Sequence, residues 1–142
     1  MATLPDSAKA LIDSGANVHL VTVNGDGSPQ VSMVWAGMID DEICVGAITP
    51  RQKLHNIRRD PRVTLSIESP DHDGLGLSLY LVVVGTARIT EGGAPEFISM
   101  LAKRRLPAGT KFPRGDDPAP GWIMRIAAER WRGYGPWCGN VQ

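Results

Sequence analysis

The densest chemistry in the chain lies in one short run, Thr49-Pro50-Arg51-Gln52-Lys53-Leu54-His55-Asn56-Ile57-Arg58-Arg59. It holds four of the fifteen lysines and arginines within eleven residues and has no carboxylate to neutralise them. Thr49 followed by Pro50 predicts a helix start, since threonine caps helices and proline is favoured at the first helical position. A helix start presents unpaired N–H groups and the positive end of the helix dipole. Cations placed there are unfavourable by about 0.3–1 kcal/mol each when exposed, unless an anion compensates. The predicted chemistry is phosphate binding, with Arg51 as a planar fork and Lys53 as a point charge. Asn56, three residues after Lys53, shares a side of the helix with it. Arg58 and Arg59 sit at the favourable C-terminal end and read as a solvated basic face.

Other residue patterns carry less. The chain has no phosphate-cradling Gly-x-x-x-x-Gly-Lys motif, no dinucleotide glycine fingerprint, no nucleophile elbow and no His-Glu-x-x-His pair. His19, His55 and His72 stand apart, and Asp71-His72-Asp73 reads as a solvated polar loop, so no metal site is expected. No residue stands out as a catalytic acid, base or nucleophile. Cys44 lies in an apolar run and reads as a buried small hydrophobe, whereas Cys138 follows Trp137 near the end of the chain. A disulfide between them is without support.

The elements that must position the basic run are mostly strands. A helix is predicted over Pro5–Ser14, with Ala8, Leu11 and Ile12 on one face and Gly15 as its stop. Val18–Val23, Pro29–Ile39 and Glu42–Ile48 read as a three-strand meander, joined by the Asn24-Gly25-Asp26-Gly27 turn and by Asp40-Asp41. On the middle strand Val31, Met33 and Trp35 share one face, and Ser32, Val34 and Ala36 the other. After the basic helix, Asp60-Pro61 ends it and strands follow over Arg62–Glu68, Leu77–Thr90 and Trp122–Ala127. The second of these is expected to continue through Gly85 or break there. Ser69–Gly76 and the proline-rich Leu106–Pro120 read as loops, Ala94–Arg104 as a helix, and Trp131–Gln142 as an irregular aromatic tail. Strands in consecutive runs with few helices predict a mainly β, antiparallel sheet or barrel with about six strands and three short helices.

With order and spacing in place, the chain resembles the pyridoxamine 5′-phosphate oxidase-like split β-barrels. Gly25–Trp35 is similar to their first hairpin. Thr49–Lys53 with Asn56, Arg58, Asp60, Pro61, Arg62 and Val63 is similar to their phosphate-binding helix and next strand, and Gly85–Ile89 to a later barrel strand. The Arg-x-Lys-x-x-Asn form, Arg51, Lys53 and Asn56, resembles the small actinobacterial deazaflavin-dependent branch. The resemblance implies a homodimer with coenzyme F-420, or alternatively FMN, bound at the dimer interface. It implies that Arg51 and Lys53 hold the cofactor phosphate, aided by Thr49, Gln52 and Asn56. It implies that Ser32, Met33, Val34 and Trp35 line the ring; Met33 and Trp35 serve equally well as core residues, since barrel strands alternate. Trp131 and Trp137 are candidates for a substrate pocket or for a latch that holds the tail. The implied function is hydride transfer from the deazaflavin to an electron-poor small molecule, with an FMN oxidoreductase and a non-enzymatic cofactor-binding module as alternatives.

At 142 residues the chain fits one domain, 1–142, large enough for one core. Fifteen acidic residues balance the fifteen basic ones, which speaks against nucleic acid as partner. The N-terminus lacks a basic-then-apolar leader pattern, and the longest apolar block, Leu79–Val84, is far too short to span a bilayer. A cytoplasmic protein that does not engage membranes is therefore expected.

Overall fold

The computed structural model describes residues 2–138. Three helices, α1 (Asp6–Asp13), α2 (Gln52–Arg59) and α3 (Ala94–Ala102), accompany seven strands. The strands are β1 (Val18–Val23), β2 (Pro29–Val34), β3 (Gly37–Ile39), β4 (Glu42–Ala47), β5 (Arg62–His72), β6 (Ser78–Glu91) and β7 (Trp122–Tyr134). They form one sheet in the order β2-β1-β5-β6-β7-β4-β3, and each neighbouring pair is antiparallel.

That order makes a barrel. β2 and β3 occupy opposite edges, yet only Trp35 and Ala36 separate them in sequence. The sheet must curl until its two edges meet at that join, without a ladder between them. The fold is a split β-barrel, mainly β, with seven strands where the sequence predicts about six. Its interior is filled by Val18, Leu20, Ile43, Val45, Leu65, Ile67, Leu81, Val83, Met124 and Ile126, all essentially fully buried. Leu11 and Ile12 of α1, and Leu54 and Ile57 of α2, join the same core. α3 packs outside, where Phe97 and Leu101 meet Cys44 of β4 and Ile123 of β7.

Three expectations need correction. The predicted Pro29–Ile39 strand is two strands, and the meander is two hairpins at opposite edges. Trp35 lies against Phe112, with ring centroids 5.2 Å apart, and the Arg105 guanidinium sits 5.3 Å from its ring centre. Arg105 also donates to the Ala36 carbonyl at 3.2 Å. These contacts from the loop after α3 hold the chain where it leaves one hairpin for the other. The last strand does not stop at Ala127. β7 runs on to Tyr134 because, beyond an irregularity at Val84/Gly85, Arg130, Arg132 and Tyr134 still pair with Val84, Val82 and Tyr80. A 3-10 turn, Pro136–Cys138, follows; the end of the predicted tail, 139–142, lies outside the described residues. Finally, α2 begins two residues later than Thr49-Pro50 suggests, with Arg51 itself at the N-cap and no side chain capping it.

Candidate functional site

The late start of α2 sharpens its chemistry. Arg51 stands at the N-cap and Lys53 at the second helical position, so both cations sit where the dipole opposes them. The Arg51 carbonyl accepts from the N–H groups of Leu54 and His55. The N–H groups of Gln52 and Lys53, one turn earlier, have no partner within the helix.

The other cations of the segment are engaged. Arg58 lies over the Trp122 ring at 5.6 Å. Arg59 donates to the Val23 carbonyl. Arg62 grips Asp60, the C-cap of α2, at 2.7 Å, and this pairing holds the Asp60 carboxyl down at about 2. Among the described residues, no carboxylate pairs with Arg51 or Lys53. Burial, and then the charge of Arg51, push the Lys53 ammonium below its ordinary value. A half-buried lysine beside an arginine with no acid is a site short of an anion.

Opposite these cations lies the free edge of β2. Gln30, Ser32 and Met33 of that strand and Arg51, Gln52 and Lys53 together line a cavity of about 470 Å³. Because β2 is an edge strand, part of its backbone donors and acceptors lacks a ladder partner. The site thus has an anion cradle at one end and a hydrogen-bonding rail along one side.

The structure brings together Arg51, Gln52, Lys53, Ser32 and Met33, and it separates the remaining candidates from them. Thr49 is exposed and does not line the cavity. Asn56 is fully buried and its amide is saturated. It donates to Thr22 Oγ1 at 3.0 Å and Asn24 Oδ1 at 2.9 Å, and it accepts from Gln52 at 2.8 Å and Arg59 at 3.5 Å. Asn56 therefore clamps α2 to the end of β1 and fixes Gln52, one step behind the cavity wall. The Val34 side chain points into the core. Trp35 is held by Phe112 and Arg105, outside the cavity, whereas Met33 is 61% exposed, so the core reading fails for it. Trp137 is buried, donating to the Tyr80 carbonyl at 2.8 Å, and Trp131 donates to the Trp137 carbonyl at 3.3 Å. Within one chain these tryptophans form the latch of the tail, not a pocket.

Neither cysteine is in a disulfide. Burial pushes the Cys44 thiol up to about 11, which makes it inert at neutral pH. Asp73 stitches the β5–β6 turn, accepting from the N–H groups of Leu75 and Leu77 and from the Tyr134 hydroxyl at 2.8 Å.

A family model, pyridoxamine 5′-phosphate oxidase, matches residues 4–135, which takes in all seven strands and the cavity. The chain belongs to this family. Among solved structures, this oxidase-family chain is similar to an F-420 reductase at 28% identity, with a TM-score of 0.75 over 91% of this chain and 98% of that one. A conserved hypothetical protein from Mycobacterium tuberculosis is 26% identical, with a TM-score of 0.69 over 94% and 88%. The heme storage protein of Vibrio cholerae is 14% identical, with a TM-score of 0.63 over 94% and 96%. At that identity only the fold is shared, so the barrel alone does not name the ligand and the side chains must.

Proposed function

We propose that this member of the pyridoxamine 5′-phosphate oxidase family is a homodimeric oxidoreductase. In this reading it binds coenzyme F-420 and reduces an electron-poor small organic acceptor. The observation that carries the reading is the convergence of Arg51, Gln52 and Lys53 with Ser32 and Met33 around one cavity. Two cations without acids, with helix N–H groups beside them, suit a phosphate. The free edge of β2 suits the polar rim of a planar heterocycle. The similarity to an F-420 reductase supports the deazaflavin over FMN.

When bound, the deazaflavin supplies a hydride, so no nucleophile or triad is required of the protein. The chain's own work is binding and orientation. Arg51 and Lys53 take the phosphate charge, and the Gln52 side chain, held by Asn56, sets one wall. The Ser32 hydroxyl and the β2 backbone through Val34 hold the ring edge.

The same reading calls for a second copy. The outward face of β2, β1, β5 and β6 bears no helix. It shows exposed Val31 and Met33 beside half-buried Val21, Val23, Val82 and Val84. Such a surface is typical of an interface.

Titration of the apo-protein with F-420 and with FMN tests the proposal. F-420 is expected to bind more tightly, and Lys53→Ala to weaken it at least about tenfold, as loss of a charge-assisted hydrogen bond worth roughly 1.5–3 kcal/mol requires. Unchanged affinity in Lys53→Ala would remove the central support, and stronger FMN binding would move the assignment to a flavin enzyme.

A further inference from the structure

The C-terminal half of α2 borders a cavity separate from the anion cradle at its start. This cavity measures about 400 Å³ and is lined by Ile57, Arg58, Ala87, Arg88, Ile89 and Glu91. Topology creates it. The last rung that β5 shares with β6 pairs Arg62 with Thr86, and the Pro61 carbonyl accepts one further bond from the Ala87 N–H. Upstream of Pro61 the chain is helical, while β6 runs on to Glu91 with no strand on that side. The cavity is the gap between helix and strand edge. It lies past the end of β5, off the bare face of β2, β1, β5 and β6.

One residue of that edge has a free main chain. Ala87 directs its N–H away from β7, toward Pro61, and Ile89, two residues on, points its N–H and carbonyl the same way. Among the described residues, no strand or helix group bonds them there.

The side chains supply charges that are held in place but not neutralised by one another. Arg58 lies over the Trp122 ring, 5.6 Å from its centre, and makes no ion pair among the described residues. Arg88 is steadied by Glu42, which accepts from its Nε at 3.3 Å and from one Nη at 2.8 Å and leaves the other Nη free. Glu91 pairs with no cation among the described residues, so Arg58 and Glu91 line one cavity without meeting. Ile57, Ala87 and Ile89 add an apolar floor.

Charge decides the ligand class. Glu42 cancels Arg88, and Glu91 balances Arg58, so the cavity is neutral but polarised, unlike the acid-free pair Arg51 and Lys53. A phosphate here would face the Glu91 carboxylate, whereas a zwitterion satisfies both signs at once. We propose that this cavity binds a free α-amino acid with an apolar side chain. Its carboxylate takes the Arg58 guanidinium and the spare Arg88 N–H groups, and its ammonium takes the Glu91 carboxylate. The ligand also matches Ile89 as one strand residue matches another. Its ammonium donates to the Ile89 carbonyl, and its carboxylate accepts from the Ile89 N–H. Along β6 that N–H lies toward Arg88 and that carbonyl toward Glu91, so main chain and side chains ask for the same orientation. The apolar side chain rests on Ile57 and Ala87. The volume is in the range of small-molecule sites. The site stands apart from the cofactor reading, and its assay needs no cofactor.

NMR of the full chain with L-leucine as the probe tests the proposal. A saturable shift is expected at the Ile89 amide. N-acetyl-L-leucine and L-leucinamide, each lacking one of the two charges, are expected to bind at least about tenfold more weakly. Arg58→Met and Glu91→Gln should each weaken L-leucine by a similar factor. Both positions are exposed, so the melting temperature of either variant should stay close to that of the wild type. No saturable shift at Ile89, or unchanged L-leucine binding in either variant, overturns the site. Equal binding of N-acetyl-L-leucinamide also overturns it, because that result marks a strand edge open to any extended peptide. Displacement of L-leucine by inorganic phosphate overturns it too, by showing a plain anion site.

Discussion

Lys53 shows how one side chain records a missing partner. Burial and the Arg51 charge both disfavour its ammonium, so its proton is held less tightly than on an ordinary lysine. The negative charge of a phosphate between the two cations outweighs both effects and raises the Lys53 value on binding. The linkage has a definite sign. Affinity is full below the free-protein value, which lies under 10.5, and falls as pH climbs through it. F-420 titrations across the alkaline range should show this decline in the wild type. Lys53→Met should bind weakly and with a flat profile there, because Arg51 stays charged; a wild-type profile as flat as the variant's would contradict it. Asn56 shows the limit of spacing as a guide. Three residues from Lys53, it shares a helix side with it, and sequence assigns it to the ligand. Its partners Thr22 and Asn24 lie more than thirty positions away, and nothing local announces them. Asn56→Ala strands those buried groups and should cost about 1–3 kcal/mol in a denaturant melt. Asn56→Asp restores the acceptor for Gln52 and Arg59 but, as a carboxylate, neither donor, and should recover only part.

At the scale of elements, most helices and strands were legible because their signals are local. The α1 face, the Asn24–Gly27 turn and the acid-free helix all follow from neighbours in sequence. The break at Trp35–Ala36 was not legible. The residues that hold it, Arg105 and Phe112, come from about seventy positions downstream, and the β2–β3 stretch keeps an unbroken apolar rhythm. The reach of β7 was hidden for a related reason, since its outer half is stabilised by pairing with β6 across an irregularity, not by its own composition. Two glycines separate the kinds of packing involved. A Cβ at Gly46 would meet Ile98 Cγ1 at 2.8 Å, a side chain on α3 able to shift. A Cβ at Gly85 would run into the Ala127 carbonyl, backbone of the neighbouring strand. Both substitutions overpack, a defect that typically costs about 1–3 kcal/mol. Gly85→Ala should fall at or above the top of that range and Gly46→Ala near the bottom, as thermal and denaturant melts will show. Equal costs would mean that the β6–β7 irregularity yields as readily as a side chain.

For the whole molecule, the balance of charge says little and the distribution of cover says more. α3 shields the outer side of β4 and β7, while the outer side of β2, β1, β5 and β6 is bare. The rows across that bare face are set by register. Val31, Val21, Thr64 and Val84 form one row, and Met33, His19, Ser66 and Val82 form the next. The first row is mostly apolar and continuous, whereas the second mixes Met33, which lines the cavity at Arg51 and Lys53, with polar groups. A second copy that covers the first row would leave that cavity at the margin of the interface, where a cofactor can touch both chains. Stable interfaces bury about 800 Å² per partner, and four adjacent strands supply that area. Val31→Asp combined with Val84→Asp places a carboxylate at each end of the apolar row, where its desolvation opposes association. Both side chains are already partly solvated in the single chain, so its fold and melting temperature should change little. Sedimentation should show a wild-type dimer and a monomeric double variant, and the monomer should bind F-420 at least tenfold more weakly, because half of a shared site is lost. A wild-type chain that sediments as a monomer yet binds F-420 tightly would show that one copy completes the site, and the bare face would then need another occupant.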